Sequence, residues 1–111
     1  MFPQEPKVPQ ISATEVKLLI DDKEEMILLD VRTGGEYSRG TIGASINVPV
    51  DQVSEKVEKI LSDKNAKIIV FCLSGSRSVY AVEIMRKMGY KHVLNMTNGL
   101  LAWRAMVMPI F

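Results

Sequence analysis

Three short apolar runs, each too brief for a helix and separated from the next by segments with helical spacing, constrain this chain most. Met26-Ile27-Leu28-Leu29-Asp30-Val31, Lys67-Ile68-Ile69-Val70-Phe71-Cys72 and His92-Val93-Leu94-Asn95-Met96 are nearly continuous in apolar or β-branched residues. The first has the pattern of a strand covered on both faces of a parallel sheet, where alternation of polar and apolar residues disappears; the second reads as a central strand and the third as a further one. Between them, Val53, Val57, Ile60 and Leu61 recur at helical spacing, predicting a helix over 51–62. Ala81, Ile84, Met85 and Met88 share a second helical face that runs to Gly89, a suitable C-cap.

The rest of the chain fits the same alternation. Ser12-Ala13-Thr14-Glu15 is a capping-box pattern, in which the serine hydroxyl and the glutamate carboxylate satisfy free backbone donors of a starting helix. Val16, Leu19 and Ile20 give that helix its apolar face. Gly34 and Gly35 break the chain after the first run, and a turn region continues through Gly43. Ser45-Ile46-Asn47-Val48 reads as a short strand closed by Pro49. Residues 1–10 hold three prolines and two glutamines and read as an extended lead-in ending in a short edge strand near Val8. The expected architecture is one α/β domain over 1–111: an open, mostly parallel sheet of four or five strands flanked by helices on both faces, with right-handed crossovers. In such sheets ligands gather beyond the carboxyl ends of the strands, where Cys72 falls.

Composition narrows the function classes. At 111 residues, with 47% hydrophobic and 24% charged residues, the chain is apolar enough to fold by itself. Its 14 basic and 13 acidic residues nearly cancel and form no basic block, which disfavours nucleic acid or an anionic membrane as a partner. No apolar stretch of membrane-spanning length and no signal-peptide pattern occurs, so a cytoplasmic location is expected. One cysteine and one histidine provide neither an internal disulfide nor a Cys/His metal site, and no cofactor is implied.

Chemistry concentrates in Cys72-Leu73-Ser74-Gly75-Ser76-Arg77-Ser78, between a strand end and a helix. Gly75 permits a positive φ and the serines leave the backbone open, so successive N–H groups can converge into an anion-binding nest. The positive end of the helix dipole points into the same place. A thiol held there is expected to ionise below the free value of about 8.5. The competing reading is a small buried hydrophobe ending a strand, the commonest fate of a lone cysteine.

Cys-x-x-Gly-x-Arg-Ser after a strand resembles the active-site loop of the rhodanese family. Leu29-Asp30-Val31-Arg32, Glu36-Tyr37, Gly40, Ile42 and Ile46-Asn47-Val48-Pro49 are similar to further family segments in the same order, as are Gly99-Leu100-Leu101-Ala102-Trp103 and Met108-Pro109. The resemblance implies a three-layer rhodanese-like sandwich and transfer of sulfane sulfur. Cys72 would take sulfur from thiosulfate or a persulfide and pass it to cyanide, a thiol or a protein acceptor. Leu73 through Ser78 would form the substrate cradle, with Arg77 binding the anion or bracing the loop. Only four residues separate Cys72 from Arg77, one fewer than in phosphatases sharing the fold, which implies a pocket too small for phosphate. The alternative is a non-catalytic binding or sulfur-relay module. Leu73 and Ser74 stand where many thiosulfate-using members carry a cation, which favours a persulfide donor. Thr41, Gly43-Ala44-Ser45 and Asn98 depart from the family pattern, all outside the cysteine loop, and bear on turn geometry.

Other residues have plainer readings. Asp30, Arg32 and Glu36 form either an acid group with its cation or a buried ion pair fixing a turn, and the structural role is favoured. His92 reads as a surface residue, the methionines as core filling, and Trp103 as an anchor for the last helix or a rim of the substrate mouth.

Overall fold

The computed structural model describes residues 8–107. Five strands, β1 (Gln10–Ile11), β2 (Ile27–Asp30), β3 (Ile46–Asn47), β4 (Lys67–Phe71) and β5 (His92–Met96), form one sheet in the order β1-β5-β4-β2-β3. Every pairing is parallel. Helices α1 (Ala13–Asp21), α2 (Gly34–Ser38), α3 (Val53–Ile60), α4 (Ser76–Lys87) and α5 (Gly99–Val107) alternate with the strands, and a 3-10 turn at Val50–Gln52 leads into α3.

The strand residues divide between two cores, as a sheet buried on both faces requires. Leu29, Val31, Ile68, Val70, Cys72 and Val93 pack on the face covered by α3 and α4, through Val53, Val57, Ala81, Val82 and Met85. Ile69, Phe71 and Met96 face α1 and α5, where Val16 and Leu100 are buried and Leu19, Ile20 and Trp103 pack alongside. In β4, Ile68, Ile69, Val70 and Phe71 have no exposed surface. Trp103 anchors α5, and Met85 and Met96 fill core space as the sequence suggests. His92 is exposed.

Several local expectations change. The edge strand forms at Gln10–Ile11, not at Val8, which is buried without pairing. Ser12 caps α1 by accepting from Glu15 N at 3.1 Å, but the Glu15 carboxylate takes the Ser12 hydroxyl in place of a backbone donor. The predicted helix at 51–62 divides into the 3-10 turn and α3. Gly34 and Gly35 begin helix α2, where a turn was expected. Thr33 caps it: Glu36 N donates to Thr33 Oγ1 at 3.2 Å, and Thr33 N donates to Glu36 Oε1 at 3.1 Å. That reciprocal pair satisfies two free donors and offsets the cost of two helical glycines. Met108-Pro109 and the start of the lead-in lie outside the described residues.

Candidate active site

The loop of residues 72–78 leaves the C-terminal end of β4 and enters α4. Gly75 sits at its turn with φ 104°, a left-handed conformation that L side chains adopt only under strain. A Cβ there would also lie 3.2 Å from Asn98 N. This backbone turns Gly75 N–H toward Cys72 Sγ, at 3.1 Å. The Ser78 hydroxyl lies 3.4 Å from the same sulfur.

Cys72 has no exposed surface. Burial by itself pushes its thiol up, but the Ser78 hydroxyl and the amides of Ser78, Gly75 and Ser74 together pull it below its ordinary value. Hydrogen bonds to an anion favour the charged form, so donors around a dry sulfur offset the effect of its burial. Leu73 turns its side chain into the α1 and α5 core, and Ser76 is exposed at the start of α4.

The loop is held from behind by a segment that the sequence reading named for its family resemblance but gave no role at the cysteine. Leu100 N donates to Cys72 O at 2.9 Å and Leu101 N to Leu73 O at 3.0 Å. A trans peptide sets its N–H opposite its carbonyl, so fixing Leu73 O toward α5 aims Ser74 N–H at the sulfur side. Gly99 makes this approach possible: a Cβ there would come within 2.4 Å of Cys72 O. Asn98 has φ 58°, a conformation asparagine tolerates better than most residues. Its backbone packs on Gly75, so this departure from the family pattern does touch the loop. The hint available in the sequence was the asparagine-glycine pair itself.

Arg77 is paired with a carboxylate of another helix. Its Nη1 and Nη2 donate to Glu36 Oε1 and Oε2 at 2.8 and 3.1 Å, linking α4 to α2 across 41 residues of sequence. The Arg77 guanidinium draws the Glu36 carboxyl down to about 2 from its ordinary 4.5, with burial opposing and Thr33 assisting. Glu36 therefore does not join the Asp30 and Arg32 pair. Asp30 is fully buried and takes Arg32 Nε on Oδ1 at 3.0 Å and Nη2 on Oδ2 at 2.7 Å. Thr41 Oγ1 donates to Asp30 Oδ2 at 2.9 Å, and Arg32 Nη2 reaches Gly40 O at 2.7 Å. These contacts tie the pair to Gly40 and Thr41 in the segment after β2. Among the described residues no group of three or more His, Cys, Asp or Glu side chains is placed to hold a metal ion. Among them, too, no helix is long and apolar enough to cross a membrane.

The parallel α/β sheet carries its one cysteine at the C-terminal edge, within reach of a backbone amide, where sheets of this class bind their ligands. The family model for the rhodanese-like domain matches residues 12–106, and the chain belongs to that family. A sulfurtransferase of Allochromatium vinosum is 29% identical over 103 residues, covering 93% of this chain and 94% of that protein. A putative sulfur carrier protein of Bacillus subtilis, YrkF, is 32% identical over 96 residues, and the match spans 86% of this chain but only 51% of the relative. Among solved structures, a rhodanese-related protein of Thermoplasma volcanium is 31% identical with a TM-score of 0.77, covering 93% of this chain and 97% of that one. A general sulfurtransferase role accords with these relatives.

Proposed function

We propose that Cys72 carries sulfane sulfur as a persulfide, taking it from a small or protein-bound persulfide and, less readily, from thiosulfate. The observation that carries this reading is the Gly75 amide at 3.1 Å and the Ser78 hydroxyl at 3.4 Å from Cys72 Sγ, with the Ser74 and Ser78 amides adding to the downward pull on the thiol. The Cys72 thiolate attacks the outer sulfur of the donor. In thiosulfate the S–S bond breaks, its electron pair leaves with sulfite, and Cys72 becomes a persulfide anion. The same donors that lower the thiol stabilise that anion. An acceptor thiolate, or cyanide, then attacks the outer sulfur and returns Cys72 as thiolate. The chain has a single cysteine, so the acceptor lies outside these 111 residues.

Donor preference follows from charge. Leu73 and Ser74 bring no cation, and Arg77 is neutralised by Glu36, so a dianionic donor finds little electrostatic attraction at the loop. The experiment is steady-state transfer to a thiol acceptor, with thiosulfate and with a small organic persulfide, for wild type and Cys72→Ser. The wild type is expected to favour the persulfide in kcat/KM, and Cys72→Ser to lose transfer from both. Transfer surviving in Cys72→Ser overturns the proposal.

The complete burial of Cys72 supports a second reading, a relay module that admits sulfur only from a docked partner. Turnover near zero with both small donors, beside transfer from a persulfidated partner protein, selects it.

A further inference from the structure

Ser78 Oγ has one hydrogen and three acceptors around it: Cys72 Sγ at 3.4 Å, Gly75 O at 3.2 Å, and Asn95 Oδ1 in a short hydrogen bond. Asn95 is 2% exposed at the end of β5, on the face covered by α4, where an apolar residue would otherwise be expected. Its Nδ2 donates to Gln10 Oε1 at 2.8 Å, and Thr97 Oγ1 donates to that same oxygen at 2.8 Å. In this arrangement the Ser78 hydrogen goes to Asn95, and Ser78 can accept from a Cys72 thiol. It matches the protonated sulfur and leaves a thiolate without the hydroxyl.

The two ends of an amide have nearly the same shape, so the chain of hydrogen bonds has a mirror. With both amides turned over, Gln10 Nε2 donates toward Thr97 Oγ1 and Asn95 Oδ1, Asn95 Nδ2 donates to Ser78 Oγ, and the Ser78 hydrogen is free for the sulfur. Thr97, which is exposed, turns its own hydrogen to solvent, and the chain of hydrogen bonds ends on an anion. Gln10 and Thr97 are exposed and line a cleft of about 390 Å³ with Ser74, Gly75, Asn95 and Asn98, so the outer amide has room to turn.

We propose that Asn95 is a positioning residue for the sulfur chemistry: its amide reverses with the charge on Cys72 and thereby directs the Ser78 hydroxyl onto the thiolate and persulfide. The inference rests on the sulfur-carrier reading of Cys72 and adds how the anion is recognised from below the loop. Chains of hydrogen bonds polarise one another, so Asn95 strengthens a Ser78 donation it does not itself make. The protonated state depends on Asn95 less, because Gly75 O offers the Ser78 hydrogen another acceptor. The charged group that senses Cys72 is Arg77 of α4, which is paired with Glu36 of α2 and also senses Asp30, itself paired with Arg32 at the end of β2. None of them contacts Asn95 in the network described, so they stay as a constant background.

The test is the pH profile of Cys72 alkylation by iodoacetamide in wild type, Asn95→Leu, Ser78→Ala and the double variant. Asn95→Leu is expected to move the midpoint to higher pH by about half to one unit, the size of one weakened hydrogen bond. The same change in the Ser78→Ala background is expected to move it little, since the hydroxyl is the link. A midpoint that falls in Asn95→Leu means that Asn95 only competes for the hydrogen, and overturns the proposal. A shift that persists without the Ser78 hydroxyl, or no shift at all, also overturns it. Should Asn95→Leu not fold, exposed Gln10→Glu takes its place. Its acceptor-only carboxylate holds Asn95 Nδ2 outward and locks the network in the protonated arrangement, so the midpoint rises with Ser78 present and not with Ser78→Ala. A Coulomb effect alone would survive that change. Alkylation reads the thiol itself, so failure here leaves wild-type sulfur transfer standing, whereas absence of any wild-type persulfide with a normal alkylation profile strikes the functional reading.

Discussion

Both ion pairs at the C-terminal edge of the sheet join a carboxylate to an arginine in a two-pronged contact, yet their surroundings differ. Arg32 and Asp30 are 3% and 0% exposed, whereas Arg77 and Glu36 are 35% and 24% exposed. The first pair lies two residues apart, and Asp30 also accepts from Arg32 N and Thr41. The second joins distant helices with solvent access, and one of its members belongs to the cysteine loop. The expectation that follows is that the buried pair supports folding of the turn after β2, and that the half-exposed pair sets the charge the loop presents to a donor.

The largest expected effect comes from breaking the buried pair. Arg32→Ala leaves Asp30 charged and unpaired in a dry site, and is expected to cost about 3–5 kcal/mol in urea unfolding. Transfer per folded molecule should change much less. A loss under about 1 kcal/mol, the size seen for surface pairs, would erase the distinction between the two pairs.

Glu36→Gln sharpens the comparison from the other side. Its stability cost is expected to be about 0–1 kcal/mol, as for exposed pairs. Its kinetic effect is selective: with the guanidinium no longer neutralised, KM for thiosulfate should fall severalfold while KM for an uncharged persulfide donor stays nearly constant. Equal weakening of both donors would show that Arg77 serves only to hold the loop in shape.

The smallest effect is one of pH. The Glu36 carboxyl titrates at about 2 in the fold against an ordinary 4.5, so its contribution is fully present above about 4.5 and is lost as pH falls from there toward 2. Wild type should lose slightly more stability than Glu36→Gln across that window, measured by chemical denaturation. Identical slopes would mean that the brace adds nothing to folding.

Much of this architecture was legible because the runs that hold β2 and β4 are nearly continuous in apolar residues, a pattern that few environments besides a doubly covered sheet accommodate. Cys72 was legible from its place after such a run and before Gly75. Helix α2 was not, because Gly34 and Gly35 weigh toward a break while the compensating Thr33 and Glu36 cap lies in their flanks. The partner of Arg77 is 41 residues away, a distance local pattern cannot bridge. Asn95 went unnoticed inside an apolar run, although a lone amide in a core strand demands a partner. The α5 clamp on Cys72 O and Leu73 O depends on main-chain groups of Leu100 and Leu101, which carry no side-chain signature.

Intact-protein mass after exposure to a small persulfide donor, for wild type and Cys72→Ser, tests the sulfur-carrier account most directly. Wild type should gain one sulfur atom, lose it again on addition of an acceptor thiol, and Cys72→Ser should gain none. A wild-type mass that does not change, or an equal gain in Cys72→Ser, would contradict it.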